Sequence, residues 1–83
     1  MKSLPPLSEE AKKLRPGIYQ LFKGNEFQLL YIARFEENLR EAVVYQALYG
    51  EKGVWIRSLD DFVQLIAVPH GSMTPRFRFL REA

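Results

Sequence analysis

The sequence predicts a mainly β domain: a small SH3-like five-stranded barrel with a short N-terminal helix and a one-turn helix before the last strand. Two aromatic, β-branched stretches, Phe27 to Phe35 and Ala42 to Tyr49, lie either side of a polar loop and alternate with the period of a strand. Val54-Trp55-Ile56-Arg57 then follows the turn composition Gly50-Glu51-Lys52-Gly53. Size supplies the third observation. The chain has 83 residues, 47% of them hydrophobic, and eleven aromatic rings. A domain this small hides only about 60% of its unfolded surface, so its core must be filled by large side chains. Closing a short sheet also protects strand edges that would otherwise template aggregation. An α+β meander is the rival arrangement, because strand pairing cannot be read from one sequence.

The elements divide into an N-terminal arm and helix over residues 1–15 and a barrel domain over residues 16–83. Leu4-Pro5-Pro6-Leu7 is extended, since proline fixes φ and biases the residue before it away from helix. Ser8 caps a short helix with Glu9 and Glu10 at its positive end and Lys12 and Lys13 at its negative end, and Pro16 stops it near Leu14. Leu7, Ala11 and Leu14 form its single apolar stripe. Gly17 to Phe22 alternates as the first strand, and Lys23-Gly24-Asn25-Glu26 turns the chain. In the second strand, Phe27, Leu29, Tyr31, Ala33 and Phe35 are expected on one face. Glu36 to Glu41 reads as a solvated loop. In the third strand Val43, Tyr45, Ala47 and Tyr49 share a side, and Val54 to Arg57 is the fourth. Ser58 with Asp61 three residues later has capping-box spacing for one helical turn through about Val63. Gln64 to Val68 returns to extended chain, Pro69-His70-Gly71-Ser72 turns, and Pro75 to Leu80 is the last strand.

Composition removes several function classes. The absence of cysteine excludes disulfides, thiolate catalysis and cysteine-ligated zinc, and fits a reducing compartment. His70 is the only histidine and sits in turn composition, so no metal site is expected. Ser3, Ser8, Ser58 and Ser72 lack a partner histidine and acid arrangement, so no catalytic residues and no cofactor are expected. The first residues lack the apolar run of a signal peptide, and nowhere does an uninterrupted apolar run reach the roughly 18 residues needed to cross a bilayer. The expectation is a cytoplasmic protein without membrane association. Net charge is +2, with basic ends and an acidic middle, which describes a mixed solvated surface and not a dense polyanion site.

From Arg15 to Leu80 the chain resembles the bacterial family called domain of unknown function 1653. The resemblance rests on Gly17-Ile18-Tyr19, Phe22-Lys23-Gly24-Asn25-Glu26-Phe27, Ala33-Arg34, Val43-Val44-Tyr45, Ala47-Leu48-Tyr49-Gly50, Trp55-Ile56-Arg57 and Pro75-Arg76-Phe77. It implies a small SH3-like barrel and no particular activity. Members of the family commonly have histidine and then Ser/Thr-Glu after the Ala-Arg pair, where this chain has Phe35-Glu36-Glu37. They often have proline at the position of Ser58.

The candidate site is an aromatic platform. Trp55 and Arg57 share a strand face, Tyr45 and Tyr49 share one on the preceding strand, and Arg34 belongs to a family-like pair. Aromatics beside a guanidinium suit a protein or peptide partner, and a non-catalytic binding module is the expected function. Core packing of the same rings is the competing reading. The alternative function is RNA or single-stranded DNA binding, using the rings with Lys23, Arg76 and Arg78, whose alternation with Phe77 and Phe79 is also that of an ordinary half-wet strand. Homodimerisation through an unclosed sheet edge is a further expectation.

Overall fold

The structure, a computed structural model, describes residues 4–83, so the first three residues of the expected N-terminal arm lie outside it. The elements are α1 (Glu9–Lys13), β1 (Gly17–Leu21), β2 (Glu26–Arg34), β3 (Glu41–Ala47), β4 (Val54–Ser58), α2 (Leu59–Phe62), β5 (Leu65–Ala67), β6 (Met73–Pro75) and β7 (Phe77–Arg81). Five of the strands form one antiparallel sheet in the order β4-β3-β2-β1-β7, while β5 and β6 make a separate hairpin. The chain is thus mainly β.

Both short helices begin where the sequence caps them. Ser8 Oγ accepts from Ala11 N at 3.1 Å, and Ser58 Oγ accepts from Asp61 N at 3.2 Å. The stripe on α1 also packs inward: Ala11 is buried in the core, with Leu7 and Leu14 against it. At the first hairpin Gly24 takes φ +111°, a conformation that a side chain would oppose.

Three features differ from the sequence expectation. Among the described residues no hydrogen-bonded ladder joins β4 to β7, so the five-stranded sheet is not a closed barrel. The two ends nevertheless curl toward each other: Phe77 on β7 lies 5.3 Å from Tyr45 on β3 between ring centroids. The wedge between them is Phe62, 1% exposed and stacked on Phe77 at 4.2 Å with the rings 7° from parallel.

The second difference is the β5–β6 hairpin between the one-turn helix and the last strand. The expected strand from Pro75 to Leu80 is split at Arg76. Its N–H donates to Gln64 O at 2.8 Å, and its carbonyl accepts from Phe22 N at 2.8 Å. One residue therefore bonds to two different elements and changes the direction of the chain.

The third difference is a register shift in β2. Leu29 pairs with Tyr45, but Tyr31 pairs with Val44, leaving Leu30 as an extra residue. Such a bulge exchanges the two faces of a strand beyond it. Leu29 and Ile32 consequently face the core, whereas Tyr31 turns outward and is 68% exposed, contrary to the expected common face with Phe27 and Leu29.

Candidate binding surface at the β4 edge

Cross-strand pairing sets which candidate residues meet. Trp55 lies opposite Tyr45, and Arg57 lies opposite Val43. Directly paired residues project to the same side of an antiparallel sheet, so Tyr45, Trp55 and Arg57 share the inner, concave face. Their environments differ sharply. Tyr45 is 6% exposed, its ring held between Phe27, Phe62 and Phe77, and it belongs to the core instead of an open platform. Trp55, one strand further out, projects beyond that ring cluster and is 58% exposed.

Tyr49 falls just after β3, not within it, yet its ring stands edge-on to Phe27 with centroids 5.6 Å apart. It is about half exposed. Arg57 is part-buried beside Tyr45 and Phe77: its Nε donates to Tyr45 Oη at 3.4 Å, and its guanidinium carbon lies 6.0 Å from the Phe77 ring centre. Of the candidate residues, Trp55 and Tyr49 are thus exposed, Arg57 is part-buried and Tyr45 lies in the core.

Arg34 does another job. It pairs across the sheet with Glu41, and its Nη2 donates to the carbonyl of Pro5. The Glu41 carboxylate accepts from both Ser8 N, at 2.7 Å, and Ser8 Oγ. Those two bonds, the hydroxyl first, together with the Arg34 charge hold the Glu41 carboxyl below its ordinary range, against a smaller desolvation effect. Arg34 and Glu41 thus fasten the proline-containing arm and line an open groove of about 810 Å³ with Pro5, Arg40 and Asp60, separate from Trp55 and Tyr49.

The basic residues considered for nucleic acid are dispersed. Arg76 donates through Nε to Asp61 O and through Nη2 to Gln64 Oε1, each at 3.0 Å, so it ties α2 to the final strand. Arg78 donates to Gln20 Oε1 at 2.8 Å on β1, and Lys23 projects from the β1–β2 turn with its Nζ 5.8 Å from the Phe22 ring centre. Both arginine forks are engaged within the fold.

Two features of this surface do not show in a residue-by-residue reading. One is the free edge of β4. Ala47 N donates to Gly53 O at 2.9 Å, and the antiparallel alternation then directs the N–H and C=O groups of Val54 and Ile56 away from β3. Val54, Trp55 and Ile56 are 58%, 58% and 56% exposed, three large apolar side chains in succession on an edge strand. Their consecutive apolar character was the available signal. The other is an outer row of Tyr31, Val44 and Ile56, paired across three strands, which the bulge at Leu30 conceals from any simple alternation.

Among the described residues no group of three or more His, Cys, Asp or Glu side chains is arranged to hold a metal ion, and no helix is long and apolar enough to cross a membrane. Comparison with known proteins yields two matches and one blank. Residues 17–79 match the family model described as protein of unknown function DUF1653. A crystal structure of a DUF1653 protein from Bordetella bronchiseptica is 30% identical, with a TM-score of 0.77, covering 87% of this chain and 94% of that one. No curated protein matches. The matched span takes in the whole five-stranded sheet except the end of β7, and the chain belongs to the DUF1653 family.

Proposed function

We propose that this protein is a non-catalytic binding module that takes an extended segment of a partner protein as an additional strand along β4. The observation that carries the reading is the free edge itself, with outward backbone groups at Val54 and Ile56 and three exposed apolar side chains. Exposed hydrophobic edges are normally blunted by lysine, proline or a covering loop because they template strand pairing. Here Val54-Trp55-Ile56 carries none of these. An added strand completes the main-chain hydrogen bonds, while its alternating side chains meet Trp55 on the inner face and Val54, Ile56 and Tyr31 on the outer one. In this reading the curled sheet is an SH3-like barrel left open between β4 and β7, and the module works in the cytoplasm, in keeping with its lack of cysteine.

Selection of extended peptides from a displayed random library, followed by isotope-edited NMR with the enriched peptide, tests the proposal. Val54 and Ile56 amides should become protected from exchange on binding. Trp55→Ser should weaken binding at least tenfold without unfolding the domain, as expected for an aromatic anchor. Val54→Pro removes an outward N–H at the first strand residue, a tolerated position, and should also weaken binding. Peptides that perturb the Arg40 groove and leave β4 unchanged would overturn the reading. So would tight, steeply salt-dependent binding of mixed oligonucleotides around Lys23 and Arg78, the behaviour of a nucleic-acid protein.

A further inference from the structure

The charge of Arg57 is unanswered within the fold. Arg81 pairs with Glu26 at 2.8 Å and Arg15 with Glu82 at 3.6 Å, while Arg34, Arg76 and Arg78 donate through their terminal nitrogens to oxygen atoms of the chain. Arg57 uses only Nε, toward the Tyr45 hydroxyl, and among the described residues no carboxylate lies within 4.0 Å of it. Arg40 also lacks an acid at that distance, but it is exposed on a loop. The Arg57 side chain is instead part-buried, with its guanidinium carbon 6.0 Å from the Phe77 ring centre and its Nε toward the Tyr45 hydroxyl, while Trp55 shares its strand face. Aromatic neighbours limit its hydration on that side. Its two terminal nitrogens remain as a planar fork, the geometry that donates to both oxygens of a carboxylate.

The geometry points to a carboxylate-binding subsite at Arg57, backed by Tyr45 and Phe77, that receives an Asp or Glu side chain of the partner strand. The inference rests on strand addition at β4 for its source of carboxylate, and it specifies what that strand must carry. A strand paired antiparallel to β4 directs the side chains opposite Trp55 and Arg57 onto the inner face. An acidic residue belongs opposite Arg57. Two residues along, the partner places a small or apolar group against the Trp55 indole.

Two arms separate this subsite from the edge reading. In the first, ¹⁵N spectra of arginine Nε–Hε groups are followed while N-acetyl-glutamate methylamide is added at fixed ionic strength. The Arg57 resonance should move saturably and further than that of Arg40, and the neutral N-acetyl-glutamine methylamide should leave it in place. The Trp55 indole N–H resonance, followed in the same titration, should also move saturably, and in Arg57→Lys, which keeps the charge without the fork, that movement should be lost. Equal movement at Arg40 and Arg57, or an equal response to the glutamine compound, overturns the subsite.

In the second arm, a library-selected peptide is compared with its Glu-to-Gln counterpart at the position facing Arg57. Loss of a charge-assisted hydrogen bond is expected to weaken binding roughly tenfold or more. Equal affinity with protected Val54 and Ile56 amides refutes the carboxylate inference and leaves strand addition standing. A saturable Arg57 response to the small carboxylate, with no peptide protecting those amides, refutes strand addition and leaves the subsite standing.

Discussion

Replacing Phe62 with alanine should remove a large part of the stability of this domain, because one ring fills the space between the two ends of its sheet. Phe62 is 1% exposed, stacked on Phe77, edge-on to Tyr19 at 5.5 Å and tilted against Tyr45 at 5.7 Å. A buried phenylalanine withdraws roughly 200 Å² from water. At about 25 cal/mol per Å², with alanine retaining part of that area, the lost transfer energy is roughly 3 kcal/mol. The cavity and the lost ring contacts add to this, and buried Phe→Ala changes in proteins cost about 3–5 kcal/mol. The expected loss is therefore about 4–5 kcal/mol, against a total of roughly 4–12 kcal/mol for a chain of this length. Urea unfolding followed by far-ultraviolet circular dichroism measures it, with an unchanged slope showing that the same surface is exposed. Leu65→Ala, at a side chain 54% exposed on the separate hairpin, serves as the control and should stay within about 0.5 kcal/mol. A loss below about 2 kcal/mol for Phe62→Ala at constant slope would refute the view that this ring joins β7 to β3.

The remaining predictions concern contacts that hold the fold at places away from β4. Gly17→Ala should destabilise by at least about 1–3 kcal/mol by thermal unfolding, since Gly17 has φ +149° and an added Cβ would lie 2.5 Å from Arg81 O and 2.8 Å from the Phe79 ring. The fastening of the arm should depend on acid. Because Glu41 has its carboxyl pKa lowered in the folded state, its contribution is present above the unfolded value of about 4.3 and is lost as pH falls through the folded value. Exchange protection factors at Ser8 and Ala11, taken relative to the intrinsic rate at each pH, should fall over that range, and Glu41→Gln should lower them already at neutral pH and flatten the profile. Arg76→Ala removes the guanidinium bonds to Asp61 and Gln64, so exchange should quicken in the β5–β6 hairpin while the β1–β2 amides keep their protection.

Local signals were legible wherever a few neighbouring residues suffice to decide the outcome. Ser8 and Ser58 cap the helices that follow them, Gly24 turns the first hairpin, and the alternation of Val43, Tyr45 and Ala47 places all three on the buried face of β3. The pairing of Trp55 with Arg57 on one face followed from the same two-residue period. Family membership was legible too, through short segments spread along most of the chain. Arg34 was attached to the wrong neighbourhood, because its partner Glu41 and the carbonyl of Pro5 come from distant parts of the sequence. The basic alternation around Phe77 concealed the hydrogen bonds by which Arg76 and Arg78 are held.

The sequence by itself determined the mainly β class, both helix caps, the major turns and the presence of aromatic side chains with an arginine around β3 and β4. Tertiary structure alone decided that Tyr45 is core and Trp55 is surface, that the bulge at Leu30 turns Tyr31 outward, and that β4 is an edge. Caps and alternation depend on bonds within a few residues, so composition expresses them directly. Exposure and edge position depend on how a curled sheet brings remote rings such as Phe62 and Phe77 together, and that sum over distant contacts is not carried by any one stretch of chain.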